Sequence, residues 1–441
     1  MSALARAAIR RDGNLIALLP KETYHLRIGN LGYSRRSIVI INDVKAIRSI
    51  MTDPCGIFPK NDLMVGALAP LVGDSIFVSS GDTWHRQRKM IAPAFSHMKL
   101  SKAFQAMQEA IDDFDMLLDE RCKKGNYFSL DFAMSQLTAD IICRTVFSTP
   151  LSSNVAREVF EAFEVFEESI AHVEIRRLIM EPAWSDIPHS KIVLEACDLI
   201  RTHLGKLVDG HLKPEASFKD IAADIITAKD KSSGNPFSRE ELIDQLGVFF
   251  LAGHETTASA LTWGFYVLAT RPDILSRVRV EIENATGGGE IDFQHIHKLD
   301  FTRSVFKECL RLYPPITFIP RVATESTEVC GRRIKKGAMV MIAPWVIHRH
   351  SDYWANPHSF DAERFMGHRE KEITQDSYLP FGLGPRVCVG ANFATIEATL
   401  ILARLAMRYN FHLLPGQHVE PVARLTTRPR NQIQLRVKHR Q

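Results

Sequence analysis

The chain has seven cysteines (55, 122, 143, 197, 309, 330 and 388) and no C-x-x-C pair among them. Their odd number and scatter argue against a disulfide framework and against a zinc finger, and suit a reducing compartment such as the cytoplasm. Charge of one sign is scarce too. The 55 Lys and Arg against 51 Asp and Glu leave +4 over 441 residues, too little to argue for nucleic acid. Residues 1–20 hold no apolar block long enough for a signal sequence or an anchor, the run at 15–19 being too short. A longer apolar run, 246–269, nearly reaches spanning length but carries His254, Glu255 and several hydroxyls at its middle. A carboxylate at a bilayer centre costs roughly 2.5–3.5 kcal/mol, so a helix buried in a large core is the better reading and no membrane span is expected. Internal repeats, low-complexity tracts and linkers are missing as well. That leaves one large domain over 1–441, mainly α with smaller β-sheet regions, as the simplest organisation.

What is present reads as an ordinary globular core, with 45 % apolar and 24 % charged residues. A β-rich part covers about 20–60: strand-like 24–28 and 37–41 flank a Gly29-Asn30-Leu31-Gly32 turn, and a short helix spans 43–51. Residues 55–81 show no sustained period, and a loop of that length is usually functional. A helical core follows at about 80–315, with helices expected at 101–122, 131–147 and most of 154–213, the last interrupted at Pro182 and Pro188. Ser238-Arg239-Glu240-Glu241 is a capping box that opens a helix running to about Thr270, stopped by Arg271-Pro272. Another helix spans 301–313. Beyond it come an extended 316–322 carrying Arg321, and a strand–turn–strand around Lys335-Lys336-Gly337.

The most constrained stretch is 380–390, Pro-Phe-Gly-Leu-Gly-Pro-Arg-Val-Cys-Val-Gly. Glycine and proline at that density specify a tight turn. A run of helical period follows it, so Cys388 stands just before a helix N-terminus, where N–H groups and the dipole favour a thiolate. Such a thiolate is a ligand or a nucleophile; a buried structural cysteine is the commoner fate of the residue type. A second stretch, Ala252-Gly253-His254-Glu255-Thr256-Thr257, breaks helix rules in the middle of the best helix. Gly253 lets something approach the backbone, and Thr256 can loosen the ladder by bonding a preceding carbonyl. A local rule broken there suggests a functional site, the alternative being a satisfied polar cluster between packed helices. Trp84 and Arg88, four apart, place donors on one helix face that suit a carboxylate or phosphate, or simply a basic surface. Glu308 and Arg311, three apart, are able to form a charge-assisted pair.

Taken together, these stretches resemble the cytochrome P450 family of haem-thiolate monooxygenases. Phe381, Gly384, Arg386, Cys388 and Gly390 match every fixed position of its F-x-x-G-x-R-x-C-x-G loop. Glu308 and Arg311 match its E-x-x-R pair, and Ala362-Glu363-Arg364-Phe365 resembles its P-E-R-F segment with Ala in place of Pro. Residues 252–257 are similar to its A-G-x-[D/E]-T-[T/S] segment, and Trp84 with Arg88 to its W-x-x-x-R.

The resemblance implies haem b (iron protoporphyrin IX) with Cys388 as iron ligand and Phe381 beside the sulfur. Gly384 and Gly390 would admit N–H groups to that sulfur. Trp84, Arg88, Arg321 and Arg386 would face the haem propionates, and Glu308, Arg311 and Arg364 would form a buried architectural triad. Thr256 and Glu255 would be the alcohol–acid pair that delivers protons to reduced dioxygen, with Ala252 and Gly253 leaving room above the iron. The pocket would draw on 55–81, 154–213, Leu251, Ala252, Thr317, Phe318, Leu425 and Thr426, and its apolar lining suits a fatty acid, terpenoid or steroid-like substrate. No flavin or nicotinamide domain is expected. The resemblance is to soluble bacterial members, cytoplasmic monomers by that likeness, whose electrons come from a ferredoxin and its NAD(P)H-dependent reductase. Arg86, Lys89 and Lys99 are candidates for the docking face. Rival readings are a peroxide-driven peroxygenase or haem isomerase, and a non-enzymatic haem sensor or binding protein.

Overall fold

Ser238 decides where the longest element begins. Its Oγ accepts the Glu241 N–H at 3.2 Å, and its own N–H donates to Glu241 Oε2 at 2.8 Å, so the expected capping box closes. The helix it opens runs Arg239–Thr270, about 48 Å at the usual rise, and the next helix begins directly on Pro272. The computed structural model describes residues 14–31, 37–170, 187–215, 217–423 and 425–440. Among them no helix is long and apolar enough to cross a membrane. The long helix is instead sheathed by protein, packing on Leu130–Phe147, Lys191–His211, Asp300–Leu312 and Ala391–Arg408. One apolar cluster spans these helices, from Leu68 to Val437.

The strands gather at the edges of this helical body. Ile28–Leu31, Ile38–Ile41, Met339–Ile342 and Ile319–Val322 lie side by side in that order, the central pair parallel and the outer pairs antiparallel. Three differences from the expected pattern have local causes. The first strand falls on 28–31, where a turn was read; Tyr24 belongs to a short 3₁₀ turn instead. Asn42 imposes this, its Nδ2 donating to the carbonyls of Thr23 and Leu26 at 2.9 and 3.0 Å. The remainder of that turn, Gly32 included, lies outside the described residues, as does the expected break at Pro182.

The loop at 55–81 contains a helix, Asp62–Val72, capped by Asn61 Oδ1 on the Leu63 N–H at 2.9 Å. Pro70 withholds the N–H that the Gly66 carbonyl would accept, and His189 Nε2 bonds that oxygen at 3.1 Å in its place. Finally, Arg332–Ile334 and Met339–Ile342 flank the expected Lys335–Gly337 turn without pairing. The first pairs with Thr327–Val329, the second with the main sheet.

Candidate functional site

The cysteine loop is shaped by close backbone contacts. Cys388 N–H donates to the Phe381 carbonyl at 2.9 Å, closing the turn. Gly384 sits at φ +74°, and a Cβ there would lie 2.6 Å from the Met51 carbonyl oxygen. Its requirement is thus the helix Val44–Thr52 packed behind the loop. Gly390 is different: its N–H bonds the Cys388 sulfur, and that bond and the Arg88 charge lower the thiol pKa. The protein packed around it outweighs both and leaves it raised above the ordinary value, although the side chain keeps solvent-accessible surface. Proximity to the helix that starts at Ala391 does not by itself make this sulfur a thiolate; a bound metal ion would.

Beside the thiol lies a group of cations. The Arg386 guanidinium stacks on the Trp84 ring at 4.4 Å, with Nη2 donating to the Ser79 carbonyl at 2.8 Å and Nη1 buried without a hydrogen-bond partner. Arg321 donates to the Pro320 carbonyl at 3.0 Å and reaches Met51 Sδ at 3.6 Å. Burial pushes the pKa of each arginine down to about 10, Arg321 adding to the effect on Arg386. Lys60, bridged to Arg321 through the backbone, is pushed down further by burial and by both arginines. Burial also lowers Arg88, against the pull of Cys388. Among the described residues none of these four cations forms an ion pair with a carboxylate. Lys60 carries no local sequence signal, standing in the aperiodic stretch 55–81; only the pairing with Arg321 reveals it.

On the long helix, Ala252 is exposed although Leu251 before it is buried, and Thr256, one turn on, is half-buried with Oγ1 donating to the Ala252 carbonyl at 2.8 Å. Gly253 serves a different purpose from the expected room for oxygen. A Cβ on it would lie 2.4 Å from Ile142 Cδ1, so it lets the helix Leu130–Phe147 pack against the long helix. Glu255 turns away from Thr256. Its carboxylate accepts from Thr426 Oγ1 at 2.5 Å and Arg428 Nε at 2.8 Å. Arg428 was not foreseen. Glu397, on the helix that follows Cys388, is fully buried near Thr257 with neither carboxyl oxygen hydrogen-bonded, and burial raises its pKa well above the ordinary value.

The E-x-x-R pair is fully buried. Arg311 donates twice to Glu308, both at 2.7 Å, and to the carbonyls of His348, Pro357 and Ser359. Arg364 Nε completes the triad at 3.2 Å from Glu308. His348, unnoticed in the sequence, carries the link onward. Its Nε2 accepts the Leu379 N–H at 2.7 Å, two residues before Phe381, and burial with Arg311 and Arg349 nearby holds its pKa down to about 3. On the supposed docking face, Arg86 is already paired with Glu241 and Lys99 with Asp224; only Lys89 of the three stays exposed without an ion pair.

A solvent-accessible cysteine beside cations that form no carboxylate ion pair among the described residues defines a protein that binds an anionic metal cofactor. The family described as Cytochrome P450 matches residues 22–437, and the chain belongs to that family of haem-iron monooxygenases. It is 30 % identical over 357 residues to cyclooctatin synthase of Streptomyces melanosporofaciens, covering 80 % of this chain and 76 % of that one. Against cyclooctat-9-en-7-ol 5-monooxygenase of the same organism it is 29 % identical over 408 residues, covering 92 % and 86 %. Its fold is similar to a crystallised cytochrome P450, CYP102L1, with a TM-score of 0.83 at 23 % identity over 96 % of this chain and 94 % of that one. The residues present fit a haem: its two carboxylates answer the unpaired cations and the orphaned Arg386 Nη1, and its iron answers the thiol.

Proposed function

We propose that this chain is a haem b monooxygenase that inserts one atom of dioxygen into a hydrophobic organic substrate. The observation that carries the site assignment is the group of four cations, without a carboxylate ion pair among the described residues, beside a solvent-accessible thiol. Cys388 would hold the iron, and Trp84, Arg88, Arg321 and Arg386, joined by Lys60, would hold the propionates. A thiolate-ligated haem supplies dioxygen binding and cleavage of its O–O bond. Phe381 and the Gly384 turn fix the position of the sulfur, and the Gly390 N–H bonded to it tempers its charge. Ala252 would leave the accessible face of the long helix low. Thr256 rests on the Ala252 carbonyl with its lone pairs free to accept from a water, and on rotating its hydroxyl would be able to hold or pass a proton on that face. Glu255 supplies protons on release from Arg428, whose side chain reaches partly into solvent.

Of the substrate classes named above, a terpenoid-like molecule comes first, supported by the two Streptomyces relatives. A single domain over 1–441 is supported by the sheet that joins Ile28–Leu31 and Ile38–Ile41 to Ile319–Val322 and Met339–Ile342. A separate ferredoxin with its NAD(P)H-dependent reductase, a monomeric state and a cytoplasmic location complete the reading. The tie between Glu255 and Arg428 favours one alternative, a peroxide-driven reaction that needs no proton delivery.

Screening apolar compounds for the spin-state change on displacement of water from haem iron identifies the ligand. Turnover with ferredoxin, reductase and dioxygen then tests the reaction, and activity with hydrogen peroxide alone overturns it. Thr256→Ala is expected to bind haem and substrate normally while diverting electrons to hydrogen peroxide. Unchanged coupling of NAD(P)H consumption to product removes the role given to Thr256.

A further inference from the structure

We propose that Glu167, His254 and Glu255 form a second metal site, separate from Cys388, that takes a zinc-type divalent cation and slows turnover by holding the Glu255 carboxylate as a ligand, where it no longer carries protons. His254 lies in the long helix and is 1 % exposed. Its Nδ1 is 3.0 Å from the Phe250 carbonyl, which only accepts, so Nδ1 carries the proton of the neutral ring. Burial favours that neutral ring. Nε2 is left with a lone pair, and it faces Glu167 Oε1 at 3.5 Å, an oxygen with no hydrogen-bond partner of its own. Two acceptors in the interior face each other favourably only with a proton or a metal ion between them. A carbonyl on Nδ1 and a free Nε2 is also how proteins orient a metal-ligating histidine.

Glu255, the next residue, supplies a third ligand, and the three ligand atoms lie within 4.8 Å of one another. Zinc with nitrogen and oxygen ligands at about 2.1 Å holds those atoms about 3.4 Å apart in a tetrahedron. The His254–Glu167 pair is already at that spacing, and a small side-chain rotation closes Glu255 onto it. Arg428 is the present counter-charge: it pairs with Glu255, and Nη2 lies 3.8 Å from Glu167. Its side chain is 27 % exposed, so a path into water is already open to it. Two carboxylates, a neutral imidazole and a dication then make an electrically neutral buried site. The imidazole–carboxylate donor set suits zinc rather than calcium or magnesium. The binding part stands apart from the reaction proposed above; the slowing of turnover rests on it, because Glu255 is the proposed proton carrier.

Zinc ion alone is titrated into the haem-loaded full chain against a chromophoric chelator. One equivalent is expected to bind in the micromolar range. Glu167→Gln, at a partly exposed position, and His254→Asn are each expected to weaken it at least about tenfold. Arg428→Gln, which removes the competing cation, is expected to tighten it. His97→Ala serves as the control, because the exposed His97 and His297 rings bring their Nε2 atoms to 3.2 Å and offer zinc another place. Binding lost in His97→Ala but kept in Glu167→Gln overturns the site, as does weaker binding in Arg428→Gln or none at micromolar zinc. The last result assigns the His254–Glu167 contact to a shared proton. Zinc is also expected to slow turnover of the unaltered chain and not of Glu167→Gln. Binding that follows the variants without slowing turnover overturns the regulatory half alone.

Discussion

Two clusters of buried positive charge lie in this molecule, and they are built on opposite plans. Around Glu308 the arginines are saturated: Arg311 meets a carboxylate and three backbone carbonyls, and Arg364 meets the same carboxylate and the Asn356 carbonyl. Around Cys388 the cations Lys60, Arg88, Arg321 and Arg386 are half-buried or buried, their pKa values all depressed by burial, with one guanidinium nitrogen left without any acceptor. A buried cation needs compensation, and the fold supplies it internally in one place and leaves it to a ligand in the other. The saturated cluster is architecture. The unsaturated one is a binding site.

The comparison is broken or sharpened by substitution, and the largest effect belongs to the saturated cluster. Glu308→Ala strands two buried guanidiniums and is expected to cost roughly 3–5 kcal/mol in urea unfolding of the haem-free chain. A cost below 1 kcal/mol would show that the arginines find other compensation and would erase the contrast. In the unsaturated cluster the sign on the haem-free chain reverses. Lys60→Met and Arg321→Met are expected to leave its stability unchanged or raise it, while weakening haem binding about ten- to a hundredfold, the worth of one charge-assisted bond. Destabilisation of the haem-free chain comparable to Glu308→Ala would mean that these cations are structural after all.

The smallest effect compares two adjacent residues of the long helix, one against packed protein and one on the accessible side. Gly253→Ala is expected to cost about 1–3 kcal/mol by driving a Cβ into Ile142. Ile142→Val, which deletes the Cδ1 in the way, recovers part of it. Ala252→Val has no such clash to meet and is expected to alter ligand-induced spectra with little change in the unfolding midpoint.

Legibility in the sequence divided along the same line. The saturated cluster was visible because its partners sit at helical spacing, Glu308 and Arg311 one turn apart, and the long helix was visible because Ser238 and Glu241 cap it locally. Local chemistry of this kind survives in one dimension. The unsaturated cluster was only half visible: Trp84 and Arg88 share a helix face and Arg386 precedes the cysteine by two, but Lys60 joins through a backbone bridge to a strand some 260 positions away. Arg428, which claims Glu255, and His348, which ties the triad to the cysteine loop, are likewise fixed by long-range contacts. Gly253 was singled out for its type and misread in its purpose, since sequence shows that a backbone is approached and not by what. The thiol divides in the same way: the helix start near Cys388 is a local feature, whereas the packing that raises its pKa belongs to the whole fold.

The account stands or falls on whether Cys388 is the ligand that these cations surround. Haem-loaded protein, reduced and exposed to carbon monoxide, is predicted to show the red-shifted Soret band of a thiolate-ligated haem, and Cys388→His is predicted to abolish it. An imidazole-type band in the freshly reduced, unaltered chain would contradict the assignment.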